Sequence, residues 1–200
     1  MKNHKYLYII TLAFFGLSFV NIHFALLGLV CMSLPFYLLK RDTKKTWCQG
    51  YCPRSNLYMT LGKKRRTKGK VTPMFFVKGN LKYVVLIYFG ISLFIALMST
   101  LQVARGNMPA MLIPRFLILF PIRITFPQLL VLEGIPLFIT HFAFRMFSMM
   151  MTTTIIGLTL FHFYKPRTWC TICPINTLSD LYIMDSRKRA AASMPQDRVS

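Results

Sequence analysis

The sequence reads TWCQGYCP from Thr46 to Pro53 and TWCTICP from Thr168 to Pro174. Each of these two stretches, called here the first and second cysteine units, has a Trp-Cys pair followed by a Cys-Pro pair, and each comes after a long apolar segment. Two cysteines three or four positions apart on a turn can direct both sulfurs at one centre. The pattern therefore predicts that the two units fold together around one metal or iron–sulfur centre.

The composition indicates an integral membrane protein. Of the 200 residues, 54% are hydrophobic, with 18 Phe and 13 Met, and the mean hydropathy is +0.48. A soluble domain with a net charge of +20 would not be this apolar. We therefore expect a single membrane domain over residues 1–200.

The positive charge is concentrated in one segment. Thirteen of the 25 Lys and Arg residues lie between Lys40 and Lys82, where Asp42 is the one acidic residue. Because apolar segments flank it, this region is typical of a cytoplasmic membrane-surface loop, and we expect no nucleic acid as a partner. The basic loop Lys63–Lys70 is predicted to contact membrane lipid or an acidic redox partner. The predicted location is the cell membrane, multi-pass, with both termini cytoplasmic.

The apolar segments predict about four spans. Tyr6–Leu39 is longer than the roughly 20 residues that one helix needs to cross, and Asn21–His23 interrupts it. Two short spans leave the flanking lysines on one side, as the positive-inside tendency prefers, whereas a single tilted helix is the competing interpretation. The predicted spans are Tyr6–Val20, Phe24–Leu39, Leu81–Val103 and Phe144–Phe163.

Shorter helices are predicted between and after the spans. Five prolines interrupt the stretch from Ala104 to His141, so short helices at the outer interface are expected there. A short helix should follow each cysteine unit, at Arg54–Leu61, ended by Gly62, and at Asn176–Met184. The predicted fold class is all-α, with about four transmembrane helices as two hairpins, in pseudo-repeat halves 6–62 and 81–185.

The candidate ligands are the four cysteines of the two units, Cys48, Cys52, Cys170 and Cys173. Three features favour an iron–sulfur cluster, most simply one 4Fe–4S cluster. Proline after the last cysteine is common in cluster-binding sequences. The following helix would point its N–H groups at an anionic cluster. Finally, the surroundings combine cations with aromatic rings that limit solvent: Lys44, Lys45, Arg54, Arg167, Trp47, Tyr51 and Trp169.

Two other interpretations of the four cysteines stay open. A structural zinc site uses the same thiolate donors. A quinone-linked membrane thiol/disulfide oxidoreductase also uses two cysteine pairs, but its reactive pairs serve the oxidising outer side, whereas the charge pattern places these pairs inside. The side of the membrane on which the cysteines lie would decide between the iron–sulfur and the thiol/disulfide interpretations.

The other reactive residue types give weaker signals. Cys31, alone in an apolar span, is interpreted as a small buried hydrophobe. His23, His141 and His162 have no mutual spacing that indicates haem or quinone ligation. Arg145 is expected to extend to the outer surface, with an anion or quinone contact as the sharper alternative. The methionine run 149–151 is interpreted as packing.

The cysteine units resemble those of a known family. Trp47 to Pro53 reads Trp-Cys-x-x-x-Cys-Pro and recurs in shortened form after a later span, which resembles the polytopic membrane 4Fe–4S binding proteins. That family includes the NapH subunit of periplasmic nitrate reductase systems and the membrane domain of NosR regulators. By position, Cys48 and Cys52 match the first family unit, whereas Cys170 and Cys173 are one residue closer together than in the family pattern.

The resemblance implies a membrane electron-transfer subunit. Its cluster would lie at the cytoplasmic face and relay electrons between a quinol pool or reduced donor and a partner redox protein. The chain is a short form without the family's ferredoxin modules or FMN domain, so a separate ferredoxin-like or flavin-containing polypeptide is the expected partner. Such a subunit would be part of an oxidoreductase complex rather than a complete enzyme. The few acidic residues and the absence of a phosphate-binding glycine loop give no support to a hydrolase or transferase.

Overall fold

The computed structural model describes residues 6–64, 70–117, 120–122 and 134–192. These residues are mostly helical, and three helices among them are long and apolar enough to cross a membrane, at Ile22–Asp42, Leu81–Ala104 and Leu137–Phe163. The all-α prediction is confirmed. The elements are α1 Leu7–Val20, a 3₁₀ turn Ile22–Leu26, α2 Leu27–Asp42, a π-helical turn Trp47–Tyr51, α3 Pro53–Lys64, α4 Met74–Lys78, α5 Leu81–Ala104, β1 Arg115–Phe116, β2 Phe120–Pro121, α6 Leu137–Phe163, α7 Thr168–Ile172 and α8 Pro174–Ala192.

The first apolar segment is interrupted where the sequence predicts. Asn21 is extended, with φ −150° and ψ 126°, and its side-chain oxygen accepts the His23 backbone N–H at 2.9 Å. Helix α1 has 14 residues, which at about 1.5 Å per residue is shorter than the roughly 30 Å hydrocarbon core. The count of four spans and the two hairpins remain predictions.

Helix α3 is longer than predicted and packs between α1 and α6. The sequence places its end at Gly62, but the helix continues to Lys64. A Cβ at Gly62 would lie 2.5 Å from the Pro166 side chain. Gly62 therefore allows the chain before α7 to approach α3 closely, rather than ending the helix.

Helix α6 begins at Leu137, seven residues earlier than predicted, because Pro136 immediately precedes the helix and fixes a backbone angle that suits its start. Arg145 consequently lies two turns inside the helix and not near its start. Helix α5 matches its predicted span to within one residue at the C-terminal end. Helix α8 extends further than predicted at both ends.

Short helices do not form in the described part of the stretch after α5. Residues 105–117 and 120–122 contain instead the two-residue antiparallel strands β1 and β2. Pro109 and Pro114 lack backbone N–H groups, which disfavours a regular helix here. Strand β1 is attached to α6 by two side-chain bonds, from Arg115 N–H to Ser148 Oγ at 3.0 Å and from Leu117 N–H to Thr152 Oγ1 at 3.3 Å. Residues 118–119 and 123–133 of this predicted region lie outside the described residues.

The hydrophobic core of the described residues contains three clusters. The first joins the 3₁₀ turn to α6, and Phe15 and Phe19 of α1 pack edge-on against Phe147 with ring centroids 5.9 and 6.0 Å apart. The second lies between α5 and α6 and contains Ala96, Met146 and Met149. The third contains Tyr58, Trp169 and Ile172. Because it joins α3 to α7, this third cluster positions the two chain segments that carry the cysteines. The division into halves 6–62 and 81–185 stays a prediction.

Candidate metal centre

The four cysteines of the two units lie in one neighbourhood. Cys48 is within electrostatic range of Cys52 in its own unit and of both Cys170 and Cys173 in the other unit. All four are free thiols and are partly buried. The structure therefore brings together two cysteine units that are far apart in the sequence.

The two units end in the same backbone geometry. Cys52 has φ −69° and ψ 112°, and Cys173 has φ −59° and ψ 129°. Each is extended, as residues before proline usually are, and a helix begins at the next residue, Pro53 or Pro174. The carbonyl groups of both cysteines accept the N–H four residues later, at 3.1 Å for Asn56 and 3.0 Å for Thr177. Each second cysteine thus serves as the N-cap of the following helix.

The first unit has one residue more than the second between its two cysteines, and the turn that precedes the second cysteine differs accordingly. In the first unit a wide π-helical turn, Trp47–Tyr51, is closed by the Cys52 N–H to Trp47 carbonyl bond at 3.0 Å. In the second unit the corresponding residues form the tighter α-helical turn Thr168–Ile172, with Cys170 N–H bonded to the Arg167 carbonyl at 3.0 Å. A wide turn accommodates one more residue than a tight one. The shortened unit therefore still directs a cysteine into the same place.

Burial favours the protonated form of Cys48, Cys170 and Cys173. It raises the pKa of Cys48 to about 12, helped by the three neighbouring sulfurs and opposed by Lys45. It also raises the pKa of Cys173 to about 11, although N–H groups of Asn176 and Ile175, at the start of α8, bond to this sulfur and favour the thiolate. The pKa of Cys170 is raised by burial as well, and a hydrogen bond with Ser55 Oγ at 3.6 Å partly offsets this. Binding of a metal must therefore displace protons from the thiols.

Three of the four cations that the sequence predicts near the cysteines lower the pKa of a thiol, and the fourth, Lys44, is exposed. Arg54 favours the thiolate of Cys173, and Arg167 favours that of Cys170. Lys45 links the units, because its ammonium donates to Asn176 Oδ1 at 3.1 Å and pairs with Asp180 of α8.

Arg54 is held by two contacts with the middle of α6. Its guanidinium donates to Thr153 Oγ1 at 2.6 Å and contacts Met150 Sδ at 2.6 Å. This places a fixed positive charge between the first cysteine unit and the membrane-spanning core. The methionine run therefore contributes an acceptor to this contact as well as packing.

The aromatic residues near the cysteines differ in exposure. Trp169 is buried, Trp47 is partly buried and Tyr51 is 44% exposed. The sequence predicts that both Trp169 and Tyr51 limit solvent near the cysteines, but only the buried Trp169 is placed to do so. Sequence reasoning missed the buried Ser55 and Tyr58, which follow Cys52 by three and six positions. The i, i+3 spacing of Cys52 and Ser55 could have indicated Ser55.

The remaining cysteine and the histidines have separate surroundings. Cys31 is within electrostatic range of Cys52 and Arg54, and so is nearer to the centre than its place in an apolar span predicts. His141 is 2% exposed, and its ring bonds the Met111 N–H and Ser99 Oγ, both at 3.0 Å. His23 bonds Asn21 Oδ1 and Thr140 Oγ1. Both histidines thus connect elements near the predicted outer side. This agrees with their interpretation as core or interface residues.

The four thiols are of the residue type that binds zinc or an iron–sulfur cluster, but the structure does not arrange them as a metal site. Within the described ranges, no group of three or more His, Cys, Asp or Glu side chains is arranged to hold a metal ion. A tetrahedral zinc site needs four ligand atoms at about 2.0–2.3 Å from one point. The residue types therefore suit an iron–sulfur cluster or zinc, and which of these groups binds, if either does, stays a prediction.

Comparisons with family models, curated proteins and solved structures find no match to this chain.

Proposed function

We propose that this chain is a membrane electron-transfer subunit that holds one 4Fe–4S cluster at the cytoplasmic face through Cys48, Cys52, Cys170 and Cys173. The observation that carries the proposal is the meeting of four partly buried thiols from two distant cysteine units. When bound, such a cluster accepts and releases single electrons. The resemblance of the cysteine units to NapH- and NosR-type membrane proteins supports the same function.

The surrounding residues have definite roles in this proposal. N–H groups at the start of α8 donate to the Cys173 sulfur, which would favour its thiolate and anchor it. Arg54, Lys45 and Arg167 would balance the negative charge of four thiolates. Trp169 and Ile172 exclude water from one side, and limited solvent is one of the factors that set the reduction potential of a cluster.

The proposed topology has four crossings with both termini in the cytoplasm. Helix α1, shorter than the other three, would cross with local thinning of the bilayer. The concentration of Lys and Arg around both cysteine units supports the cytoplasmic placement.

Electrons would pass between a quinol pool or another reduced donor and a separate ferredoxin-like or flavin-containing protein. We propose that the basic loop Lys63–Lys70, of which residues 65–69 lie outside the described part, docks that acidic partner or anionic lipid. The chain would then be a redox subunit of an oxidoreductase complex and not a complete enzyme.

The raised pKa values of the thiols favour this proposal over a thiol/disulfide oxidoreductase. Reactive cysteines in such enzymes usually have lowered pKa values, because the thiolate is the nucleophile. Burial acts in the opposite direction on Cys48, Cys170 and Cys173. Buried neutral thiols are poor nucleophiles but can become ligands when a metal displaces their protons.

The decisive experiment is anaerobic purification followed by analysis of iron, acid-labile sulfide and zinc. We expect about four iron and four sulfide per chain. Cys48→Ser should lose them, while Cys31→Ser is the matched control and should retain them. Stoichiometric zinc without sulfide would instead establish the zinc scaffold.

Labelling the cysteines of the metal-free protein in sealed membranes tests the topology. Cys48 and Cys170 should react only with reagents that have reached the cytoplasmic side. If they react only from outside, the relay proposal fails and the thiol/disulfide alternative gains support.

A further inference from the structure

An elongated cavity of about 390 Å³ lies between α5 and α6. Its lining runs from Leu81 to Ala96 on α5 and from Arg145 to Leu160 on α6. At about 1.5 Å per residue, each of these stretches is about 22 Å long. At its other end the cavity is lined by Trp169, Ile172 and Pro174 of the second cysteine unit.

The wall of this cavity is mainly apolar. On α5 it is formed by five apolar residues and by the polar Tyr88 and Ser92; the apolar residues are Leu81, Val84, Val85, Phe89 and Ala96. The length and the apolar wall match an extended hydrocarbon chain lying parallel to the helices.

Two arginines line the cavity together with this apolar wall. Arg145 projects from α6 and is partly buried, whereas Arg115 of β1 is exposed and close enough for the two positive charges to repel each other. Arg145 Nε is buried without a hydrogen-bond partner in the part of the chain that the structure describes. An unpaired guanidinium in such surroundings is costly.

The acidic residues of the described ranges do not neutralise this pair. Asp42, Asp180 and Asp185 pair with Arg41, Lys45 and Arg189, respectively. Glu133 and Asp197 lie outside the described residues.

The neighbouring hydroxyl groups already have backbone partners. Ser148 Oγ donates to the Phe144 carbonyl and accepts the Arg115 N–H, and Thr152 Oγ1 accepts the Leu117 N–H. Within the residues that the structure describes, the two guanidinium groups therefore have no negative charge beside them, and a ligand can supply one.

We propose that this cavity binds an anionic phospholipid of the surrounding membrane. Its phosphate contacts Arg115 and Arg145, and one acyl chain lies along α5 and α6 toward Trp169. Arg145 is eight residues inside α6, about 12 Å from the helix start, and a long arginine side chain can extend from there toward the headgroup level. The charge pair selects an anionic head over a neutral one, and the apolar wall accepts the chain.

This proposal does not depend on a metal and is tested on the purified full-length protein in detergent. Native mass spectrometry and thermal unfolding are measured with added phosphatidylglycerol, with phosphatidylcholine of the same acyl chains, with oleate and with a quinone analogue. Phosphatidylglycerol should bind best and raise the midpoint temperature. Equal binding of phosphatidylcholine, or stronger binding of oleate or the quinone, would overturn the proposal.

Four variants distinguish lipid binding in the cavity from general attraction to the positively charged surface. Arg145→Gln and Arg115→Gln should each weaken phosphatidylglycerol binding about tenfold, the usual scale for loss of one charge-assisted contact. Arg105→Gln, at the exposed end of α5, removes the same charge outside the cavity and should leave binding unchanged. Val84→Trp, which fills part of the wall, should weaken binding with both arginines intact.

Three results would contradict the proposal. Equal losses of binding in Arg105→Gln and Arg145→Gln would indicate an attraction general to the surface and would exclude a specific site. Unchanged binding in Val84→Trp would exclude the acyl-chain position. Binding that appears only in Glu133→Gln would show that Glu133 already neutralises the arginines in the native chain.

Discussion

Gly157 of α6 lies against the ring of Tyr58 of α3. A Cβ at position 157 would be 2.6 Å from Tyr58 Cζ, a separation at which one of the groups must move. Tyr58 is 1% exposed, and its hydroxyl donates to the Thr154 carbonyl at 3.4 Å. Because α3 begins directly after Cys52, this contact helps to fix the first cysteine unit against α6.

Gly157→Ala should therefore destabilise the protein by about 1–3 kcal/mol, the usual cost of overpacking, although alanine favours a helix by up to about 1 kcal/mol. Gly90→Ala in α5 is the matched control, since a Cβ there has nothing within 4 Å. The control should be neutral or stabilising. The free energy of unfolding in detergent is the measurement, and equal effects of the two variants would contradict the close contact.

The meeting of the two cysteine units was predictable because it depends on residue types and on the order of apolar segments. Paired cysteines and the distribution of basic residues predict that the two units lie close together, whereas the shared centre and the cytoplasmic side stay predictions. The similar ends of the two units follow from proline after Cys52 and Cys173, which restricts the preceding residue in both cases. These are local rules that need no knowledge of helix packing.

The contacts around the centre could not be predicted in the same way. Which side of α3 faces α6 decides that Tyr58 meets Gly157 and that Arg54 reaches Thr153, and the helix has too few periodic apolar residues to fix its rotation. The cavity with Arg145 also depends on where α6 starts. Since Pro136 starts that helix earlier than hydropathy alone indicates, Arg145 is inside the span and not at its edge.

His141 joins α5, α6 and the segment before β1 through two hydrogen bonds. The Met111 N–H donates to Nδ1, so the neutral ring carries its proton on Nε2 and donates it to Ser99 Oγ. His141→Ala would leave the buried Met111 N–H without this acceptor, and we expect a loss of about 1–3 kcal/mol. Thermal and chemical unfolding in detergent measure it. The exposed His162→Ala is the control and should change stability by about 0.5 kcal/mol or less.

Arg54 attaches α3 to α6 through contacts that glutamine is too short to reproduce. Loss of the charged donor to Thr153 in Arg54→Gln should lower the free energy of unfolding by about 1.5–3 kcal/mol. Arg167→Gln removes the same charge near the centre from an exposed position, so its effect should be about 0.5 kcal/mol or less. Both are measured on metal-free protein, which separates the structural effect from any effect on metal binding. Equal losses would indicate that charge near the thiols, and not the α3–α6 contact, is responsible.

In the metal-free protein the Cys48 thiol should ionise only at a pH well above that of an ordinary cysteine. Its pKa is raised from 9.0 to about 12, first by burial and then by the sulfurs of Cys173, Cys52 and Cys170. An acid whose pKa is higher in the folded state stabilises that state below the unfolded pKa, and this contribution is lost as the pH rises. The free energy of unfolding should therefore fall between pH 9 and about 12, and less so in Cys48→Ser.

Thiolate absorbance and the rate of alkylation measure this ionisation directly. In a variant that keeps only Cys48, the other sulfurs are absent and the pKa should decrease, yet stay above 9.0 because burial is the larger cause. The same variant in denaturant is the control and should titrate near the ordinary value of about 8.5. If the folded and denatured samples titrated together, Cys48 would be solvated, and burial as the main cause of its raised pKa would be wrong.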